Sequence, residues 1–244
     1  MILYVLVGVL AVGLSLPVDN HYENKGFLYT RQQILNRLCL VSVFLLLFLV
    51  SALRLNVGND YAKYVEFMHL IRCDAMVPTE FGFNWVVKIL YGISGFENYL
   101  LVFAVFAFAT IYLFLKAIYQ QADSFPFSFF LFMALGYYFQ TFNTVRYYLA
   151  LAIALFAIPY VLRKEWGKFI LLILLGATMH KSLLVVLPLY FLASRCWKKW
   201  QLVLAALFCS TFFFLQDFYL KLVVFLYPTY EDTEYLEGGT SMIN

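Results

Sequence analysis

The sequence predicts an all-α fold: a polytopic transmembrane helical bundle with about seven to eight membrane segments. Three observations carry that prediction. The 244 residues are 64% hydrophobic and only 13% charged, with a mean hydropathy of +0.82. Soluble domains lie near half apolar and a quarter charged. The apolar residues also fall in long runs of Leu, Phe, Val, Ala and Tyr that hold almost no charge. About 20 such residues cross a hydrocarbon core of about 30 Å. Finally, aromatic residues make up 20% of the chain, with 27 Phe and 19 Tyr, as lipid-facing bulk and interfacial anchors require. Residues 1–244 are therefore expected to form a single integral membrane domain.

The apolar segments run, in order, over Met1–Leu16, Leu38–Leu53, Tyr99–Tyr119, Phe125–Phe139, Tyr147–Leu162, Phe169–Leu192 and Leu202–Tyr227. A shorter stretch, Phe83–Ile93, suits a buried or interfacial helix. Pro17, Pro78, Pro126 and Pro228 stand at segment boundaries, where a missing backbone N–H costs least. The first segment has no basic region before it and no small-residue cleavage site, so it reads as a retained helix.

Orientation follows from Lys and Arg in the connections. The basic clusters are Lys25, Arg31 and Arg37, then Arg163, Lys164 and Lys168, then Arg195, Lys198 and Lys199. With the first cluster inside, the N-terminus, the polar stretch Arg54–Gly82 and the turn near Asn143 lie outside. The segment after Lys168 keeps the third cluster inside only if it is two short helices meeting at His180-Lys181-Ser182. That hairpin also leaves the acidic tail Tyr230–Asn244 outside.

Several function classes are excluded by what the chain lacks. A net charge of +3 without a long basic cluster offers no nucleic-acid surface. The four cysteines have no metal-ligand spacing, so neither a zinc site nor a disulfide framework is expected.

Polar residues in so apolar a chain are where chemistry is sought. Arg54 follows an apolar helix directly, and Asp60 and Tyr64 are one helical turn apart. They read either as an interfacial anchor and solvated loop or as a site where Arg54 meets a phosphate and Asp60 orients a sugar hydroxyl. Thr79-Glu80-Phe81-Gly82-Phe83-Asn84-Trp85 joins an acid to aromatics, which suits carbohydrate; a capped helix start explains it equally well. Asn143, Arg146, Tyr147 and Ala150 share one helical face. An Arg at the outer start of a neutral helix presents a donor fork matched to a phosphate or pyrophosphate, with a snorkelling anchor as the alternative. His180 and Lys181 interrupt an apolar segment, where polarity is expensive, and His180 there is a candidate general base.

With those elements in that order, the chain resembles the EpsG-like branch of the Wzy-type polysaccharide polymerases. The family pattern of Arg and Gly-x-Asp-x-x-x-Tyr is seen as Arg54 and Gly58-Asn59-Asp60-Tyr61-Ala62-Lys63-Tyr64. Its Glu-x-Gly-aromatic-Asn element is similar to Glu80-Phe81-Gly82-Phe83-Asn84, and its His-Lys-Ser element to His180-Lys181-Ser182. Its Asn-x-x-Arg-Gln-x-x-Ala element resembles Asn143 to Ala150, except that Tyr147 replaces the Gln. The likeness covers roughly Ser51 to Leu192. Family members commonly continue for several more helices, so a chain that stops after EGGTSMIN reads as a fragment or truncated product.

The resemblance implies a GT-C-like membrane glycosyltransferase of the bacterial inner membrane, metal-independent and without a cofactor. Such an enzyme joins oligosaccharide repeat units carried on a polyprenyl diphosphate at the outer face, building O-antigen, capsule or exopolysaccharide. It implies catalytic roles for Arg146, His180, Asp60 and Glu80, and substrate contacts from Arg54, Tyr64, Asn143, Tyr147 and Lys181. The partners it implies are the lipid-linked oligosaccharide, membrane lipids, a chain-length regulator and a flippase. The competing reading is a transporter or flippase that moves a lipid-linked or small polar substrate without chemistry. Transporters favour internal repeats and midplane sites; this sequence has no evident repeat, and its polar residues gather toward one side.

Overall fold

The computed structural model describes residues 2–21, 30–193 and 197–226, and among them every regular element is a helix. The chain divides into two compact units, Met1–Ser194 and Arg195–Asn244.

The first unit is built around three long apolar helices: α2 (Arg31–Ala52), α5 (Tyr99–Gln121) and α8 (Val145–Leu162). Each is long and apolar enough to cross a membrane. Shorter apolar helices flank them: α1 (Ile2–Ser15), α6 (Phe125–Ala134) and α9 (Trp166–Met179). A 14-residue helix reaches only about 21 Å, less than a hydrocarbon core of about 30 Å. Among the described residues the protein is thus all-helical, with three candidate membrane spans and several shorter apolar helices.

Helix α5 is the centre. It packs against α2, α6 and α8 and against α4 (Phe81–Ser94), and its buried face runs through Val102, Phe103, Phe106, Ile111 and Phe114. The predicted segment Phe125–Phe139 is broken: after α6, Gly136 takes a left-handed backbone, and the single turn α7 (Tyr137–Gln140) follows. Tyr138 on that turn is fully buried and donates its hydroxyl to the Leu47 carbonyl at 2.8 Å, joining the end of α2 to the start of α8.

The bundle has two distinct ends. At one, the Asn36 side chain accepts from the Asp19 N–H, and Asn20 donates to the Ala122 carbonyl. Helix α2 starts and α5 stops there. Arg31 and Arg37 sit near that start, and α8 ends toward the same side before Arg163 and Lys164. The other end holds the C-termini of α2 and α9 and the N-terminus of α8. Arg54, Glu80, Arg146 and His180 all lie there.

Two features depart from the hydropathy reading. Helix α2 begins seven residues before the predicted Leu38, because Thr30 and Gln33 form a reciprocal capping box. The polar stretch after Arg54 contains a full helix, α3 (Tyr61–Arg72), which buries Tyr61, Tyr64, Met68 and Ile71 and exposes Lys63 and Arg72. Its apolar stripe packs on α4 and α5, with Tyr61 stacked on Phe103 at 5.0 Å.

The predicted segment Phe169–Leu192 breaks at His180. The residue is extended (φ −152°, ψ 111°) and is followed by a 3-10 turn, Lys181–Val185, and α10 (Val186–Ala193). Helix α10 packs back against α8 and α9 and does not prolong α9. Gly176 packs against the Leu183 and Ile153 side chains, so a Cβ there would require the end of Leu183 to shift.

In the second unit, α11 (Lys199–Phe214) and α12 (Gln216–Leu226) meet at Leu215. Phe212 stacks on Tyr219, with ring centres 4.1 Å apart. The basic residue Arg195 and the acidic tail lie outside the described residues.

Candidate active site

Helix α4 is pressed hard against the end of α9. A Cβ on Gly82 would sit 2.5 Å from Thr178 Oγ1 and 2.7 Å from the Thr178 carbonyl oxygen, so only glycine permits this approach. Glu80, the N-cap residue of α4, is thereby brought beside His180, the residue that ends α9.

The Glu80 carboxylate has three neighbours. Oε2 forms an ion pair with Arg146 Nη1, Oε1 accepts from the Lys181 backbone N–H at 3.3 Å, and Oε1 stands 3.7 Å from His180 Nδ1. The Glu80 and Arg146 side chains are only 16% and 15% exposed, so water screens the pair weakly. The Arg146 guanidinium also lies over the rings of Tyr64 and Phe83, at 5.8 and 5.6 Å. Arginine's flat, weakly hydrated cation suits such a stack.

His180 Nδ1 receives the Ser182 N–H at 3.4 Å and lies 3.2 Å from the Ser182 hydroxyl. With that nitrogen accepting, the neutral ring carries its proton on Nε2. Burial holds the imidazole below its ordinary pKa; Glu80 opposes the shift, while Arg146 and Lys181 add to it. The ring is therefore neutral at pH 7. Tyr147, 40% exposed, stands edge-on to it at 5.4 Å.

Arg54 occupies a different place from the solvent-facing one the sequence suggests. It is 7% exposed, its guanidinium lying between the rings of Phe103 and Phe142 at 5.0 and 4.9 Å, with Nη1 donating to Ser51 Oγ at 3.4 Å. Burial lowers its pKa to about 10, which leaves it charged at pH 7. No carboxylate pairs with it among the described residues.

The loop from Arg54 to α3 is tied to α8 through Asn143. The Asn59 N–H donates to Asn143 Oδ1 at 3.0 Å, and Asn143 Nδ2 donates to Gln140 Oε1 at 3.0 Å. Gly58 makes the crossing possible: its φ is +107°, and a Cβ there would run into the Phe142 carbonyl. Asp60 is the N-cap residue of α3, but its side chain makes no capping bond and pairs with none of Glu80, Arg146 and His180. Tyr64 is buried with its ring toward Arg146, and Lys181 is exposed.

Of the residues singled out in the sequence, the structure thus gathers Glu80, Arg146, His180, Tyr64, Tyr147 and the Lys181 backbone. Asn143 and Arg54 stand in the adjoining loop packing, and Asp60 stands apart from the cluster. Three buried side-chain donors have no acceptor among the described residues: Arg54 Nε, Arg146 Nε and Tyr61 Oη, the last facing the Asn56 backbone N–H. All three can donate, and all three lie at this end of the bundle. Buried donors without acceptors are costly unless something else satisfies them. No group of three or more His, Cys, Asp or Glu side chains that would hold a metal ion occurs among the described residues.

Sequence reasoning did not anticipate two contributors. Ser182 fixes the His180 tautomer, and Thr178 receives Gly82. The His-Lys-Ser element carried the first signal, whereas nothing in the chain marks the second.

Fold and site together define an all-helical membrane protein with an acid–arginine–histidine cluster at one end of its bundle. The chain belongs to the EpsG family, whose model matches residues 37–244. No curated protein and no solved structure matches it. Membership points to a polymerase-like role in polysaccharide biosynthesis at a membrane.

Proposed function

We propose that this protein is a membrane-embedded glycosyltransferase that polymerises oligosaccharide repeat units carried on a polyprenyl diphosphate, acting at the outer face of the bacterial inner membrane. The observation that carries this reading is the Glu80–Arg146–His180 cluster, together with the unpaired donor Arg146 Nε.

In this reading the lipid-linked chain enters with its diphosphate toward Arg146. Its phosphate oxygens replace Glu80 as the partner of the guanidinium and take up Nε, matching an anion to a preset donor fork. The released Glu80 carboxylate then faces the acceptor sugar. An acceptor hydroxyl at the non-reducing end of the next unit attacks the anomeric carbon of the growing chain. The new C–O bond forms as the bond to the diphosphate breaks, and the electron pair leaves with the lipid diphosphate. Glu80 takes the hydroxyl proton, and His180, donating from Nε2, orients the sugar. Arg146 stabilises the charge that develops on the leaving group, and Arg54, stacked on Phe103 and Phe142, supplies a second positive charge at the same end of the bundle. The scheme needs neither a metal nor a nucleotide sugar.

Purified protein in lipid nanodiscs, supplied with lipid-linked repeat units, tests the reading. Products of two or more units with release of polyprenyl diphosphate are expected. Movement of unjoined units across a liposome membrane would support the transporter reading in its place.

A further inference from the structure

Beside the cluster, on the outward face of α4, lies a cavity of about 630 Å3 walled by Phe81, Trp85, Asn84, Met76, Asp74 and Lys88. Its volume falls within the roughly 300–1,000 Å3 of small-molecule sites. Phe81, Asn84, Trp85 and Lys88 recur at i, i+3, i+4 and i+7, so they form one helical stripe opposite the buried Gly82, Phe83, Val87 and Tyr91. Two large rings are left open: Phe81 is 68% and Trp85 55% exposed, inclined at 53° with centres 5.6 Å apart.

The polar rim decides what such rings face. Lys88 Nζ pairs with Asp74, which is held in a left-handed turn (φ +54°) after α3. Charges on this face would be expensive against hydrocarbon, so the cavity opens to water or headgroups. Asn84 is braced by the Thr79 hydroxyl and carbonyl through its Oδ1 and Nδ2, leaving one amide hydrogen to offer. Flat apolar surfaces, one carboxylate, one ammonium and one amide suit a sugar ring. Its C–H face lies on the aromatics, and its hydroxyls bond to the rim.

We propose that this cavity is a saccharide-binding subsite, with Trp85 and Phe81 as the stacking platform and Asp74, Lys88 and Asn84 as the hydroxyl-binding rim. Glu80 immediately precedes Phe81, and Trp85 lies about 7.5 Å further along the helix. A glycan leaving the Glu80–Arg146 cluster along α4 would place its next residues on this platform. That the bound saccharide belongs to a lipid-linked repeat unit rests on the polymerase reading; the stacking site itself rests on the cavity.

The test uses the full chain in nanodiscs with Trp166→Phe, Trp197→Phe and Trp200→Phe, leaving Trp85 as the reporter among the four tryptophans. The probe is single repeat-unit oligosaccharide released by mild acid from the surface glycan of the host cell. A saturable change in Trp85 emission is expected. Phe81→Leu, which keeps apolar bulk but loses the ring face, should weaken binding at least tenfold, and Asp74→Asn should also weaken it. No response to the oligosaccharide overturns the proposal, as does a response that Phe81→Leu leaves unchanged. Emission set only by the lipid composition of the nanodisc would mean a membrane anchor and also overturns it. The two readings fail separately. A Trp85 response in a protein that joins no repeat units sinks polymerisation and keeps the subsite. Arg146-dependent polymerisation without a Trp85 response does the reverse.

Discussion

Glu80, at the N-cap of α4, and Arg146, in the first turn of α8, are 66 residues apart in sequence and form a largely buried ion pair. The pair sits where α4, α8 and α9 converge, with His180 against its acidic side. It neutralises a cation that the proposed reaction needs free, so anionic substrate and Glu80 compete for one guanidinium.

The pair has a measurable coupling. Removing one member leaves the other buried and unpaired, at a cost of about 3–5 kcal/mol for a fully buried pair. Arg146→Met and Glu80→Leu should each lower the midpoint of thermal unfolding in detergent. The double variant should lose less than the sum of the two, since it leaves no orphan charge. Additive losses would mean the two side chains act independently.

The close approach of α4 to α9 gives a second expectation. Gly82→Ala places a methyl group within 2.5 Å of Thr178 Oγ1, so the start of α4 must shift. A loss of about 1–3 kcal/mol is expected, as for other overpacked contacts. Because Glu80 moves with the helix, activity should fall further than stability alone explains. Thr178→Ala in the same chain should restore part of both, and the remaining Thr178 carbonyl should limit the rescue. Unfolding midpoint and polymerisation rate, measured on the same preparations, check this.

Stability should also carry a mark of His180. Its folded pKa lies below the ordinary value of about 6.5, so the unfolded chain binds the proton more readily. The contribution is fully present above pH 6.5 and is lost as pH falls through the lower folded value. Between pH 7 and pH 5, the wild-type midpoint should drop more than that of His180→Asn. Equal slopes for the two proteins would contradict the burial of this ring.

Arg54 is expected to resist its nominally conservative replacement. Its guanidinium lies between Phe103 and Phe142 without a carboxylate, and a lysine ammonium is more strongly hydrated and cannot stack in the same way. Arg54→Lys should therefore lower the unfolding midpoint by at least as much as Arg54→Met. A fully tolerated lysine would mean that charge alone, and not the flat stack, holds this position.

How much of this was legible in the sequence depended on scale. Helices α5 and α8 follow from unbroken apolar runs, and the break at His180 follows from the charge rule that favoured a hairpin over a single crossing. Helix α3 was hidden because its solvent face carries Lys63 and Arg72, and polar density reads as loop when only hydropathy is weighed. The types of residue in the candidate site were visible as polarity set in apolar surroundings. Their partnerships were not, since Glu80 and Arg146 meet through the packing of three helices. Arg54 reads as an interfacial anchor or a phosphate contact because the rings that enclose it, Phe103 and Phe142, come from distant segments that look like lipid-facing bulk.

The most direct test of the central claim is the length distribution of surface glycan from cells lacking this gene, complemented with wild type, Arg146→Lys or Arg146→Ala. Wild type should restore a ladder of polymer lengths. Arg146→Ala should leave single repeat units, with a rate loss on the order of 10²–10³-fold. Arg146→Lys should fall between them, since it keeps the charge without the fork. A full ladder from Arg146→Ala would contradict the account, because leaving-group stabilisation at the Glu80–Arg146 pair would then not be what drives chain growth.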